Sequence, residues 1–157
     1  MNLKLLEDFF GPCSHLILEK ESREYAGCRF ELSNKKIVFR TAKITPTKNG
    51  QFVTLWKRSA AGPIEPFDVL DSIDLFVVEV CKNESVGFFI FPKEVLLAQG
   101  VVSKNGIGGK RAMRVYPPWD LPESQQASKS QKWQTTYFAE MISDSNNSKI
   151  KKLFSGD

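Results

Sequence analysis

Three sets of residues in this chain have side chains of the kind that catalysis or recognition needs. The first holds the nucleophiles and bases: a single histidine, His15, and three cysteines, Cys13, Cys28 and Cys81. Any Ser-His or Cys-His mechanism, or a histidine-based metal site, would rest on His15 alone. The cysteines are odd in number and lack CxxC spacing, which reads as reduced thiols in a cytoplasmic protein. The second set is the carboxylates. Metal-dependent nucleases hold a hard cation with clustered acids and keep a lysine two positions beyond one of them. No lysine here has Asp or Glu two positions before it. The nearest substitute is Asp74 with Glu79 and Lys82 in DLFVVEVCK, and that spacing puts the two acids on opposite faces of a regular strand. GIGGKR does not make a phosphate loop, because Lys104 stands where the Walker pattern needs Gly and Arg111 where it needs Ser or Thr. Arg111 also holds the last glycine position of a dinucleotide fingerprint. No catalytic residue, metal ligand or cofactor is therefore expected, and the glycines read as a flexible loop that lets Lys110 and Arg111 reach outward.

The third set is basic. Between Glu31 and Glu65 there are seven bases and no acid, and between Glu94 and Asp120 four bases and no acid. Net charge is only +4, yet such separation makes a local field suited to an anionic partner. RTAKITPTKNGQFVTLWKR carries Arg40, Lys43, Lys48, Trp56, Lys57 and Arg58 on what reads as two strands and a turn. GKRAMR adds Lys110, Arg111 and Arg114. Cations that follow phosphates beside a ring that stacks a base suit single-stranded nucleic acid. Trp56 fits a core position equally well. The nine residues define an expected surface for DNA or RNA, without sequence preference and without catalysis. Two rivals stand beside it: a divergent metal-dependent nuclease using Asp74 and Glu79, and an adaptor whose basic face meets an acidic protein.

The elements that would position these residues follow from periodicity. Leu3, Leu6, Phe9 and Phe10 have helical spacing, closed by Gly11 and Pro12. HLILEK is a short strand, and CRFELS alternates Cys28, Phe30 and Leu32 on one face. KKIVFRTAKIT then runs as one strand into the turn PTKNG, and QFVTLWK returns from it. SIDLFVVEV is a continuous apolar run, expected at the centre of a sheet and covered on both faces, with VGFFIF as its partner. PKEVLLAQG is a short helix, RAMRVYP a strand, and PESQQASKSQKWQTTYFAEMI the last long helix. Residues 143–157 read as a polar, frayed tail. The sum is one domain over 1–157, of class α+β, with a central mixed, largely antiparallel sheet flanked by helices. No apolar run is long enough to cross a membrane.

Several blocks, in order from about Tyr25 to Phe138, resemble the MepB-like family of small bacterial proteins. They are RTAKITPTKNGQFVTLWKR, GPIEPFD, GFFIFPKEVL, GKRAMRVYPPWD and QKWQTTYF. The resemblance implies a restriction-endonuclease-like fold of the PD-(D/E)xK type and binding to nucleic acid. The chain departs from the nuclease pattern: the acid-x-Lys signature is missing, and no long crossover helix follows the third strand. The departure favours a binding protein on a related scaffold. The matching blocks contain Arg40, Lys43, Trp56, Lys57, Arg58, Lys110, Arg111 and Arg114.

Overall fold

A computed structural model describes residues 3–141 and 147–155. Its centre is β8 (Leu75–Lys82), whose first six residues are all buried. The chain turns back at Asn83, which takes a φ of 56°, into β9 (Ser85–Pro92). On the other side β8 runs parallel to β3 (Lys35–Thr41), from Ile37 opposite Leu75 to Thr41 opposite Glu79. β2 (Cys28–Leu32) joins β3 through Ser33 and Asn34, both at positive φ as a tight hairpin turn requires. β1 (Ser14–Leu18) forms one edge of the sheet and β11 (Phe138–Glu140) the other. The β3–β8 pair is the parallel one, and the remaining pairings in this six-stranded sheet are antiparallel.

Among the described residues, two small sheets and four α-helices complete the layers. β4 (Lys43–Ile44), β5 (Gln51–Thr54) and β10 (Ala112–Val115) form a three-stranded antiparallel sheet in the order β10-β5-β4. β6 (Trp56–Arg58) pairs with β7 (Ile64–Pro66). The helices are α1 (Leu3–Phe10), α2 (Lys93–Ala98), α3 (Gln125–Gln134) and α4 (Asn147–Ser155). Alternation along the central strands gives the large sheet two apolar faces. Val38, Phe76, Val78 and Phe91 pack with Val53 and Val115 of the small sheet, Leu96 of α2 and Trp133 of α3. Ile37, Phe39, Val77 and Ile90 face the opposite way, onto Leu6 of α1 and Ile150 and Phe154 of α4. The α+β class, the central place of SIDLFVVEV and its pairing with VGFFIF follow the sequence pattern.

Four expectations are corrected. The run KKIVFRTAKIT is not one strand: it divides at buried Ala42, whose N–H donates to the Glu79 carbonyl. Arg40 therefore belongs to the central sheet, not to the hairpin. QFVTLWK divides likewise at Leu55, whose N–H donates to the Arg111 carbonyl, so that Trp56–Arg58 turns away to pair with Ile64–Pro66. The last long helix stops at Gln134; a 3-10 turn over Thr135–Tyr137 leads into β11. That edge closes because position 87 is glycine: a Cβ there would strike the Phe138 ring. Finally, residues 147–155 of the expected frayed tail form α4, with Ile150 and Phe154 in the core. Residues 143–146 and 156–157 of that tail lie outside the described residues.

Candidate nucleic-acid interface

The charge on the basic stretch is largely met by acids that are distant in sequence. Arg40 is completely buried, so it cannot line a surface. Its guanidinium donates to both oxygens of Glu19, at 3.0 and 3.1 Å, and to the Phe39 carbonyl at 2.9 Å. Phe67 lies 5.9 Å from it, and 5.3 Å from Arg29. Lys43 pairs with Glu24 at 3.3 Å and sits over the Tyr25 ring. Lys57 donates to Asp71 at 2.6 Å, with Glu65 at 3.5 Å. Burial opposes the Lys57 charge, but Asp71 and then Glu65 outweigh it and raise its pKa. Arg58 meets Glu21 through three contacts of 2.8–3.1 Å. The hydrogen bond from Arg58 holds the Glu21 carboxyl below its usual range. Glu19, Glu21 and Glu24 flank or lie on the 3-10 segment Lys20–Tyr25, which the fold lays across this stretch. Trp56 is half-buried, with the Arg58 guanidinium 5.9 Å from its ring.

The bases that keep their charge free of carboxylates gather elsewhere. β10, the β4–β5 turn and α3 enclose a cleft of about 450 Å³, into which Lys48, Lys110 and Arg114 converge. Gln134 fixes the walls: its amide N–H₂ donates to the Arg114 carbonyl at 2.9 Å, and its oxygen accepts from Tyr116 N–H at 2.7 Å. Ser124 caps α3 by accepting from Ala127 N–H at 3.0 Å. Arg114 is held by Thr45 Oγ1 at 2.9 Å, the Asn49 carbonyl at 3.2 Å and the Phe52 ring. None of these partners is an acid, so its charge stays available.

Two neighbouring depressions share walls with this cleft. One, at the start of α3, shares Lys48, Arg114 and Tyr116 and adds Glu123. The other shares Gln126, Ser130 and Trp133 and adds Lys129 and Lys132. The result is a groove along α3 with five bases and one acid, and none of the five pairs with a carboxylate among the described residues. Tyr116 rests on Gly50, where a Cβ would come within 2.7 Å of the ring. Trp133 rests on Phe91, ring centroids 5.4 Å apart. Of the nine residues singled out from the sequence, Lys48, Lys110 and Arg114 meet here. Arg111 is exposed and lines none of these depressions, and Arg40, Lys43, Trp56, Lys57 and Arg58 lie apart. Tyr116 and Trp133 are not among the nine; in the sequence Tyr116 stands within the second basic window and Trp133 within the last helical stretch.

The other chemical candidates have structural employment. Asp74 accepts from Lys36 N–H at 2.8 Å. Glu79 is buried and accepts from Thr41 Oγ1 at 3.1 Å. His15 is exposed on the edge strand beside Glu31. Among the described residues no group of three or more His, Cys, Asp and Glu is placed to hold a metal ion. The glycine-rich loop is anchored as well, contrary to the expectation of flexibility. Asp68 accepts from Ser103 Oγ at 2.6 Å, Gly106 N–H at 2.8 Å and Leu70 N–H at 3.0 Å. These bonds, Ser103 foremost, hold its carboxyl down at about 2. Lys110 N–H then donates to the Val101 carbonyl at 2.8 Å, which fixes the backbone from which its side chain enters the cleft.

The six-stranded mixed sheet, covered by the three-stranded sheet, α2 and α3 on one face and by α1 and α4 on the other, defines an α+β protein whose large sheet has one parallel pairing. The chain belongs to the MepB-like family, whose model matches residues 19–140. It is similar to a solved structure, the crystal structure of MepB, at 32% identity over 92% of this chain and 99% of that one, with a TM-score of 0.81. No curated protein matches it. The family match begins at Glu19, the partner of Arg40, and spans every wall of the groove. No helix among the described residues is long and apolar enough to cross a membrane.

Proposed function

We propose that this protein binds nucleic acid in the bacterial cytoplasm through the groove along α3, without sequence preference and without catalysis. One observation carries the reading: Lys48, Lys110, Arg114, Lys129 and Lys132 come from separate parts of the chain to line one groove, against a single acid, Glu123. Lysine and arginine meet phosphates whatever the base, so such a surface is indifferent to sequence. The basic stretch that first suggested this partner supplies only Lys48 of the five. The engagement of Asp74 and Glu79 in backbone and Thr41 contacts argues against a nuclease built on them.

The experiment is a salt titration of binding to a labelled oligonucleotide. Contact with about three to five phosphates gives a log–log slope of about −2 to −4. Lys48→Ala with Lys110→Ala reduces the slope by about 1.5, because each lost phosphate contact removes about 0.7–0.9. Lys43→Ala with Arg58→Ala leaves it unchanged. The opposite pattern moves the interface to the 43–58 stretch. Metal-dependent cleavage that disappears in Asp74→Ala would replace the binding reading with the nuclease.

A further inference from the structure

We infer that the groove takes an unpaired nucleotide, so that the protein prefers single-stranded, gapped or frayed nucleic acid to intact duplex. This rests on the proposed function and deepens it. The central cleft, about 450 Å³, has the size of a site for one small molecule. A duplex is convex at its backbone and hides the faces of its bases in the stack; only edges are offered in its grooves. The cleft instead presents two half-buried rings, Tyr116 and Trp133, and a ring takes a base by its face. Both rings are supported from behind, Tyr116 by the Gly50 backbone and Trp133 by Phe91, so stacking would cost them little freedom.

The polar lining fits the same occupant. Gln126 and Ser130 each offer a donor and an acceptor, which accommodates any base edge without selecting one. The cations flank the rings. Lys48 and Arg114 stand towards the start of α3, and Lys129 and Lys132 along it, as a track for the phosphates on either side of an inserted base. Lys110 lines the central cleft itself.

The test is fluorescence anisotropy at one fixed salt concentration with three probes of equal length: a single strand, a blunt duplex, and that duplex with a one-nucleotide gap. The single strand is expected to bind at least about 10-fold tighter than the blunt duplex, since stacking of one base is worth about 5- to 150-fold. The gap should recover part of that difference. Equal affinity for single strand and duplex overturns the inference and leaves nucleic-acid binding standing; no binding to any probe removes both. Trp133→Ala should erase the preference, with its fold checked by urea melt because the ring packs on Phe91. Gln126→Glu with Ser130→Glu lies on the surface of α3 and puts two acids into the cleft without touching the core. That double variant should lose the single-strand preference by about the same factor. A double variant that still prefers single strand as wild type does would show that the groove is not where the base goes.

Discussion

Replacing Glu19 with Ala leaves Arg40 charged and buried with no carboxylate. The side chain of Arg40 is 0% exposed and that of Glu19 17%. Removing one member of a buried ion pair costs about 3–5 kcal/mol, because the remaining charge stays desolvated. Two features place the cost near the lower end of that range. The Phe39 carbonyl still accepts from the guanidinium, and Phe67 still lies over it. The exposed part of Glu19 also gives water a path to the vacated position. We expect a loss of about 3 kcal/mol for Glu19→Ala. Glu19→Gln, which keeps one acceptor, should lose about 2 kcal/mol, as removal of a charged hydrogen-bond partner does. In a chain of this size about 1 kcal/mol corresponds to roughly 2–4 °C, so the Ala variant should melt roughly 6–12 °C lower. Urea unfolding followed by tryptophan emission measures it, with an unchanged m-value confirming that the unfolding transition is the same. Glu19→Leu combined with Arg40→Met should recover most of the loss, since apolar groups of similar volume replace a buried pair at little cost. A Glu19→Ala protein within about 0.5 kcal/mol of wild type would show that Arg40 is not sealed from water, and would refute the reasoning.

Phe154→Ala should destabilise the protein by about 3–5 kcal/mol, because the ring is buried in the layer beneath α4; a cost under about 1 kcal/mol would return this segment to a frayed tail. Asp68 has a folded pKa of about 2, below the ordinary value near ~3.9, so its contribution is present above about pH 4 and lost as pH falls through about 2. Asp68→Asn should therefore flatten the acid limb of the stability curve between about pH 4 and 2, and a limb of unchanged steepness would remove Asp68 as its cause.

The strands that make the large sheet were readable because their burial is local in origin. Cys28, Phe30 and Leu32 alternate, and LFVVEV is apolar except at Glu79, and both patterns hold whatever the neighbours are. Partner choice is not written in that way. Arg40 sits in a stretch free of acids, yet its carboxylate comes from Glu19; Lys57 finds Asp71 and Arg58 finds Glu21. A charge window measures separation along the chain, whereas pairing depends on separation in space; the 3-10 segment closes that gap for Arg40 and Arg58, and Asp71 closes it for Lys57. The helical spacing of Trp133, Tyr137 and Phe138 extended α3 too far for a similar reason: the Phe138 ring is needed over Gly87, which only the edge of the sheet reveals. α4 carried a faint signal in Ile150 and Phe154, one turn apart within a polar tail. Lys48, Lys110 and Arg114 were legible as cations, and their convergence depended on β10 pairing with β5.

The parallel pairing of β3 with β8 has a consequence for how the chain reaches its native state. β8 and β9 meet through a two-residue turn and need nothing else to find each other, so their hairpin forms on the microsecond scale. β3 and β8 cannot align until residues 42–74 have been gathered, and that interval contains β4 to β7. The entropy of closing so long a loop grows only with the logarithm of its length, about 0.6 kcal/mol per doubling, and compaction of the interval into small sheets shortens what must be closed. The small three-stranded sheet is itself incomplete until β10 arrives from beyond β9. The two sheets thus wait on one another, and the many contacts distant in sequence imply slow, highly cooperative folding. Amides of β3 and β8 should then exchange with solvent only through global opening, while β1, exposed on its edge, exchanges through local opening.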